Sequence, residues 1–266
     1  MVANFKILGS SSSGNAGLLR TGDLTILMDA GLSARRLKGL LSDEGVAIEE
    51  LDAVFLTHEH ADHSAGLRGL SKQRADLPVF ANRDTARAVQ DKLPRRPDWR
   101  IFETGQPFSF RNLSVHPFGI PHDAYDPVGF LLEWGGDDLF HPPESLAWVT
   151  DLGHAPALVR EKIDKACILV IEANHCPDML ESDTKRPWSL KQRIRGRHGH
   201  LSNRESLDLL RSVEKPKWKE IYLIHLSKDC NDVNLVRDTF AAGLPGHGSA
   251  YDTFVIDPGT AEAIPA

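Results

Sequence analysis

The sequence is poor in cysteine and has no long hydrophobic run. Its 266 residues include three cysteines, Cys167, Cys176 and Cys230, which are too few and too widely spaced for a disulfide framework or a CxxC zinc site. The longest apolar segments, such as CILVI, fall far short of the roughly 20 residues of a transmembrane helix. The N-terminus also lacks the hydrophobic segment of a signal peptide. We therefore predict a soluble, cytoplasmic protein that does not enter membranes.

An excess of positive charge is absent as well. The 31 Lys and Arg residues are outnumbered by 37 Asp and Glu residues, giving a net charge of -6. This balance argues against indiscriminate binding to nucleic acid or membrane surfaces, although it leaves room for a local basic patch. The early segment GSSSSGNAG is not followed by Gly-Lys-Ser/Thr, which excludes a phosphate-binding P-loop. We expect it to form a turn after a strand.

Short apolar segments between Gly and Asp turns predict a layered α/β protein. Twelve segments of strand length and composition occur, many of them early in the chain with few helices between them, so a simple βα alternation does not fit. With 41% hydrophobic residues, we expect a single domain over 1–266, a flexible tail at about 258–266 and an irregular loop at 135–145. The predicted helices are roughly 33–44, 63–74, 84–92, 155–163, 203–213 and 232–242.

The segment THEHADH carries most of the chemistry, directly after the apolar strand LDAVFL. Side chains two apart on an extended backbone point the same way, so His58 and His60 converge on one metal ion. Asp62 and His63 fall in the following turn and face a second point, which predicts a two-metal site. Glu59 has the opposite phase and is predicted not to ligate. The alternative is a solvated or pH-sensitive polar loop, which the density of ligands disfavours.

Three other predicted strands end in further ligand types. His122 lies in a loop after its strand, whereas His116 lies inside that strand and is expected to be structural. Asp151 follows an apolar strand, where a carboxylate that bridges two cations is stabilised despite burial; its alternative role is to cap the next helix. His225 ends the strand EIYLI in the same way.

The order of these residues resembles the metallo-β-lactamase fold hydrolase superfamily. The motif HxHxDH is followed by His122, Asp151 and His225, and LMDAG resembles that superfamily's early strand ending in Asp-Gly. Further segments resemble the YycJ/WalJ-like group of bacterial proteins, which are regarded as nucleases: GSSSSGNAG, DAGLS, PHDAYDP, VTDLGH, EANH, RGRHGHLSN and IYLIHLSKDCND. The resemblance covers nearly the whole chain.

The resemblance implies a fold and a ligand set. The fold is a four-layer αβ/βα sandwich of two mixed β-sheets flanked by helices. Asp151 would bridge the two ions, Asp62 would also orient the attacking water, and Asp29 would support the ligand loop. The remaining ligands would divide between the ions, with His58, His60 and His122 on one and Asp62, His63 and His225 on the other.

Substrate contacts are predicted from residues outside the ligand set. A basic segment at 185–197 holds six cations in an otherwise acidic chain, among them Arg193, Arg195 and Arg197, which suit phosphate contacts, with Trp188 between them for stacking on a base. The alternative is a solvated helix face. The other basic residues of this segment are Lys185, Arg186 and Lys191.

A capping signature follows the basic segment. Ser202 and Glu205 form an S-x-x-E pattern, which predicts that a helix begins just after His200. We expect His200 to bind the scissile phosphate or to protonate the leaving group, the alternative being an ordinary loop histidine. Asn174 and His175 follow a buried strand and are predicted either to reach the substrate or to cap the next turn.

These features predict a dinuclear metal-dependent phosphodiesterase. The predicted activity is that of a DNA or RNA exonuclease, in which a metal-bridging hydroxide attacks the scissile phosphate. A lactonase- or thioesterase-type hydrolase acting on a carbonyl is the first alternative, and a metal-retaining regulatory module with little turnover is the second. The two divalent ions are predicted to be Zn²⁺, with Mn²⁺ or Fe also compatible with the ligands. The sequence leaves the oligomeric state open.

Overall fold

The computed structural model describes residues 3–136, 142–244 and 250–266. By its internal contacts the chain divides into two compact units. Unit 1 is Met1–Thr104 with Ala124–Pro127, and unit 2 is Gly105–Asp123 with Val128–Ala266. Each unit has its own β-sheet and its own hydrophobic core. The assignment of the whole chain to a single domain stays a prediction.

Unit 1 contains a six-stranded mixed sheet whose spatial order follows the chain. The first three strands are antiparallel and the last four are parallel. The strands are β1 Asn4–Gly9, β2 Ala16–Arg20, β3 Thr25–Met28, β4 Ala53–Phe55, β5 Pro78–Asn82 and β6 Asp98–Phe102. The helices are α1 Ala34–Asp43, α2 Ala61–Ser64, α3 Leu67–Gln73 and α4 Arg83–Gln90.

Unit 2 contains an eight-stranded mixed sheet in the order β14-β13-β12-β11-β10-β9-β8-β7. Strands β10 to β13 are parallel, and the pairs outside them are antiparallel. The strands are β7 Phe108–Phe110, β8 Leu113–Gly119, β9 Val128–Trp134, β10 Glu144–Val149, β11 Ile168–Glu172, β12 Glu220–Ile224, β13 Asp252–Ile256 and β14 Ala263–Pro265. The helices are α5 Ala157–Asp164, α6 Pro177–Ser182, α7 Trp188–Arg195, α8 Asn203–Arg211 and α9 Val233–Gly243.

All twelve predicted strands are present, and the sequence missed β7 and β14. Both are three-residue strands at a sheet edge, too short to show a periodic pattern. Within the predicted tail at 258–266, Ala263–Pro265 pairs with β13, and the flexibility of this tail stays a prediction. Of the acidic residues in the predicted 135–145 loop, Asp137 and Asp138 lie outside the described residues. Glu144 begins β10, and its carboxylate accepts a hydrogen bond from Lys219 at 2.6 Å.

Helix starts follow the predicted capping chemistry. The Ser202 side chain accepts from the backbone N–H of Glu205, and the Glu205 carboxylate accepts from the backbone N–H of Ser202, so α8 begins with a capping box.

The predicted helix at 63–74 is divided into α2 and α3. In the described ranges, no helix combines the length and the apolar character that crossing a membrane requires.

The parallel strands bring the polar loop residues of each sheet to one edge. In unit 1, the carboxyl ends of β3 and β4 are neighbours and lead into Asp29 and Thr57. In unit 2, the carboxyl ends of β10, β11 and β12 are neighbours and lead into Asp151 and His225. Ligand sites of α/β proteins form at such edges, because the loops after adjacent parallel strands converge there.

Gly31, which follows β3, permits close packing by the segment 57–63, the ligand turn of unit 1. A Cβ atom on Gly31 would lie 1.6 Å from the carbonyl oxygen of Asp62, so we expect Gly31→Ala to lower the free energy of unfolding by at least about 1–3 kcal/mol. Gly39, on the exposed face of α1, has open space around it, and Gly39→Ala should raise stability by about 0.5–1 kcal/mol. Urea denaturation of both variants checks the pair; equal midpoints would contradict the close packing at Gly31.

Candidate metal centre

In unit 1, the ligand turn presents two pairs of potential ligand atoms. His58 Nε2 lies 3.1 Å from His60 Nδ1, and His63 Nε2 lies 3.6 Å from Asp62 Oδ2. Two ligand atoms on one tetrahedral zinc ion, each about 2.0–2.1 Å from the metal, are about 3.3 Å apart. Each pair therefore has the separation that suits a shared ion, as the spacing of the motif predicts.

The buried carboxylate of Asp29 holds this turn in place. Its Oδ2 lies 2.8 Å from His63 Nδ1, and its Oδ1 accepts from the backbone N–H of Thr57 at 2.8 Å. The Thr57 hydroxyl lies 3.0 Å from His58 Nδ1. Both imidazoles are thus fixed through Nδ1, which leaves Nε2 for a metal, the arrangement usual for ligating histidines. The supporting role expected of Asp29 has a clear structural basis.

Asn15 also supports the turn, and the sequence reasoning missed it. Its amide nitrogen lies 3.3 Å from Asp62 Oδ2 and 3.0 Å from His63 Nε2. Its backbone N–H donates to the Asp62 carbonyl at 2.7 Å, and its side chain is fully buried. The GSSSSGNAG segment therefore does more than turn after a strand, because its last polar residue orients two ligands.

In unit 2, three imidazoles face one carboxylate oxygen. Asp151 Oδ1 lies 3.7 Å from His122 Nε2, 3.7 Å from His225 Nε2 and 3.6 Å from His200 Nδ1. The distances are too long for hydrogen bonds and suit ligands arranged around a cation. Asp151 does not cap α5, since that position is Pro156, and the capping alternative is excluded.

The backbone at these positions is unusual. Asp29, Asp151 and His225 have φ angles of 56°, 59° and 58°, a left-handed conformation that is uncommon for residues other than glycine, although Asp and His adopt it more often than most. Such strained residues are typical of functional sites, where surrounding contacts hold them. Here each one follows a central strand and turns its side chain toward the clustered polar residues of its own unit.

Glu172 is a second residue that the sequence reasoning missed. It is fully buried at the end of β11, and its Oε1 accepts from the backbone N–H of Leu152 at 2.6 Å and of Leu201 at 2.9 Å. Its Oε2 lies 3.0 Å from His200 Nδ1. Burial raises the pKa of the Glu172 carboxyl, but the charge of His200 and hydrogen bonds from His200 and His225 outweigh burial and lower it to about 2. The sequence does contain a signal for Glu172, because a carboxylate at the end of an apolar strand marks a candidate functional residue.

The candidate ligand histidines of unit 2, His122 and His225, are also held at their second nitrogen. His122 Nδ1 lies 3.2 Å from the Gly199 carbonyl, and burial lowers the pKa of its imidazole, favouring the neutral ligating form. The Asn174 amide donates to the His225 carbonyl at 2.8 Å and lies 3.3 Å from His225 Nδ1. His116 is not part of the site, because it lies in β8 and pairs with Glu133 at 2.9 Å.

The two residues predicted after β11 are buried. The Asn174 amide positions His225, and the contact of Asn174 with substrate stays a prediction. The His175 side chain is buried and its carbonyl accepts from the backbone N–H of Asn203; its contact with substrate also stays a prediction. Burial lowers the pKa of His175 to about 4, so it is neutral at physiological pH.

The basic segment of unit 2 is extensively paired within the protein. Arg193 pairs with Asp123, Arg195 with Glu181, and the Arg197 guanidinium lies 3.2 Å from His154. Arg195 also lies 5.8 Å above the ring of Trp188. These contacts favour a solvated, ion-paired helix face, although exposed pairs are weak enough to exchange partners. The remaining cations pair similarly: Lys185 with Asp229, Arg186 with Asp183 and Asp229, and Lys191 with the Glu181 carbonyl.

Mixed sheets whose strand ends carry clustered His and Asp side chains define a metallo-β-lactamase fold hydrolase. The solved structure of the metallo-β-lactamase fold protein YhfI from Bacillus subtilis aligns over 99% of both chains with a TM-score of 0.72 at 15% identity. A family model described as a beta-lactamase superfamily domain matches residues 25–226.

Similarity to curated proteins narrows the family. The chain is 33% identical to exodeoxyribonuclease YycJ of Bacillus anthracis, covering 97% of both proteins. It is also 33% identical to exodeoxyribonuclease WalJ of Streptococcus pneumoniae, covering 97% of this chain and 95% of WalJ. The chain therefore belongs to the YycJ/WalJ family of the beta-lactamase superfamily, which confirms the resemblance found in the sequence.

The contacts of Glu172 predict a large effect on stability. Glu172→Ala would leave two buried backbone N–H groups without an acceptor, and each such loss costs about 1–3 kcal/mol. We expect a decrease of about 2–6 kcal/mol in the free energy of unfolding, measured by urea denaturation with and without a chelator. The control Glu161→Ala removes an exposed pair with Lys165 and should change stability by less than about 0.5 kcal/mol. Similar midpoints for the two variants would refute the anchoring role of Glu172.

Proposed function

We propose that this protein is a dinuclear metal-dependent phosphodiesterase that acts as an exonuclease on DNA. The observation that carries the proposal is the convergence of the His122 and His225 imidazoles on Asp151 Oδ1, with His200 beside them. The two ligand pairs of the THEHADH turn supply matching donors. Relatives named exodeoxyribonuclease, similar over nearly the full chain, favour DNA over RNA and over a lactone or thioester substrate.

We assign seven ligands to two divalent ions. His58, His60 and His122 would hold one ion; Asp62, His63 and His225 would hold the other, and Asp151 would contact both. This assignment rests on the family order of the ligands and on the separations within each unit. The histidine-rich set suits Zn²⁺ and also accepts Mn²⁺ or Fe. When bound, the ions supply an activated water and stabilise charge on the phosphoryl oxygens.

The protein's own groups handle the proton at the leaving oxygen. Because Glu172 holds Nδ1 of His200, the Nε2 atom is the one available to exchange a proton with a substrate. In the protonated imidazole, Nε2–H can donate to the departing oxygen while Glu172 stabilises the positive charge. Asp62 is proposed to orient the attacking water as well as to bind metal. The role predicted for His200 therefore gains a specific donor atom.

The alternatives differ in what they require. A regulatory module has no use for a histidine oriented by a buried carboxylate, an arrangement that supports proton transfer in acid catalysis. The proposed location is the bacterial cytoplasm, and the three free cysteines are compatible with its reducing conditions.

The bridging role of Asp151 predicts metal loss. Asp151→Ala should lose at least one of two bound ions and nearly all hydrolysis, because the ligands of both ions depend on that carboxylate. The control His116→Ala replaces a histidine outside the site and should retain both ions. Elemental analysis of the purified proteins gives the ion content; two ions and normal activity in the Asp151 variant would end the assignment.

An acid role for His200 predicts dependence on the leaving group. His200→Ala should reduce turnover of an oligonucleotide by about 10²–10⁴-fold, with both ions retained. Hydrolysis of bis-p-nitrophenyl phosphate should fall much less, because p-nitrophenolate departs without a proton. Steady-state kinetics on both substrates makes the comparison, and equal decreases would show instead that His200 binds the phosphate.

A further inference from the structure

Tyr125 is an exposed aromatic residue on a fixed backbone. Its side chain is 76% exposed, yet its backbone N–H donates to Glu59 Oε1 at 3.1 Å. The next residue, Asp126, is held on both its groups: its carbonyl accepts from the Asn82 amide at 2.6 Å and its carboxylate accepts from the Thr104 hydroxyl at 2.7 Å. The ring is therefore presented to solvent from a rigid support, which lowers the entropy lost when a ligand packs against it.

A groove runs beside the ring along the outer face of α4. It has a volume of about 320 Å³ and is lined by Tyr125, Asp84, Arg87, Ala88 and Asp91, a size at the lower end for small-ligand sites. A planar base can stack on the tyrosine while the carboxylates accept from exocyclic amino groups and the guanidinium donates to ring acceptors. The two carboxylates would repel a phosphate, so the groove suits a base rather than the backbone.

Hydrogen bonds connect the groove to the ligand turn of the same unit. Glu59 lies between His58 and His60 in the chain, is buried, and accepts the Tyr125 N–H. Lys92, just beyond α4, donates to the Glu59 carbonyl at 3.3 Å. A base that contacts Tyr125 and a phosphate at the ligand turn can therefore belong to one short segment of the same nucleic-acid strand.

The segment 83–100, which includes α4 and most of the groove lining, carries the charge that a phosphate backbone requires. Residues 83–100 contain six basic and three acidic residues in a chain of net charge -6. Arg100 pairs with Asp98, but the segment as a whole remains basic. The six basic residues are Arg83, Arg87, Lys92, Arg95, Arg96 and Arg100.

We propose that Tyr125 and the outer face of α4 form a nucleobase-binding subsite for single-stranded DNA, in which the Tyr125 ring stacks on a base near the scissile phosphate. This inference rests on the proposed nuclease function and specifies where its substrate binds. By this proposal, the main contact with the DNA strand lies on unit 1 rather than on the ion-paired basic segment of unit 2.

Substitution of Tyr125 tests the subsite. For Tyr125→Ala, the ratio of kcat/KM on a single-stranded oligonucleotide to kcat/KM on bis-p-nitrophenyl phosphate should fall about 5- to 150-fold, the equivalent of 1–3 kcal/mol per stacked base. Tyr125→Phe keeps the aromatic ring, so its ratio should stay within about twofold of the wild-type ratio. Leu158→Ala, a control that removes exposed apolar surface elsewhere, should leave the ratio unchanged.

Direct binding gives a readout independent of cleavage. An oligonucleotide with 2-aminopurine near its end should lose fluorescence on binding wild type and Tyr125→Phe, because stacking quenches the base, and should lose less on binding Tyr125→Ala. An unchanged ratio or unchanged quenching in Tyr125→Ala overturns the proposal. So does a loss that appears in Trp188→Ala instead.

The failure of the nuclease proposal is distinguishable. If wild type hydrolyses bis-p-nitrophenyl phosphate but no oligonucleotide, that proposal fails, and the quenching assay alone then decides the subsite. Tyr125-dependent quenching would support a base-binding site, and its absence would overturn one.

Discussion

Two buried carboxylates, Asp29 in unit 1 and Glu172 in unit 2, hold imidazoles of the proposed active site. A buried carboxylate is stable only if its oxygens accept hydrogen bonds or meet positive charge. Asp29 obtains these bonds from the N–H and hydroxyl of Thr57 and from His63. Glu172 obtains them from two backbone N–H groups and from His200. The loops around the site are arranged to supply those donors.

This requirement explains the local backbone. To aim side chains inward directly after a strand, Asp29, Asp151 and His225 adopt left-handed φ angles, at a cost of about 1–3 kcal/mol each. Adjacent loops must also approach closely. A Cβ on Gly199 would lie 2.1 Å from the Ile194 carbonyl, and the Gly199 carbonyl itself contacts His122. The strain is therefore balanced by the hydrogen bonds of the site.

The sequence predicts the parts of this site that depend on local order. THEHADH is recognisable because a strand period places His58 and His60 together, and the strand ends nominate Asp151 and His225. Glu172 and Asn15 escaped because their roles depend on partners distant in sequence: Glu172 accepts from Leu201, and Asn15 contacts Asp62. The short edge strands escaped for a different reason, since three residues carry no periodicity and tertiary pairing alone defines them.

Runs of charged residues show the same limit of sequence reasoning, but here the sequence suggests a role rather than hiding one. Counting cations singled out the segment 185–197, but a count does not show that Arg193 and Arg195 already face Asp123 and Glu181. In a strand-binding surface, each phosphate must displace such a partner, which reduces the net gain per contact. The segment 83–100 attracts less notice because acidic residues interrupt it, yet in the fold it borders an exposed, rigidly held aromatic ring. The partners of a charge, rather than its sequence neighbours, decide whether it is available to a nucleic acid.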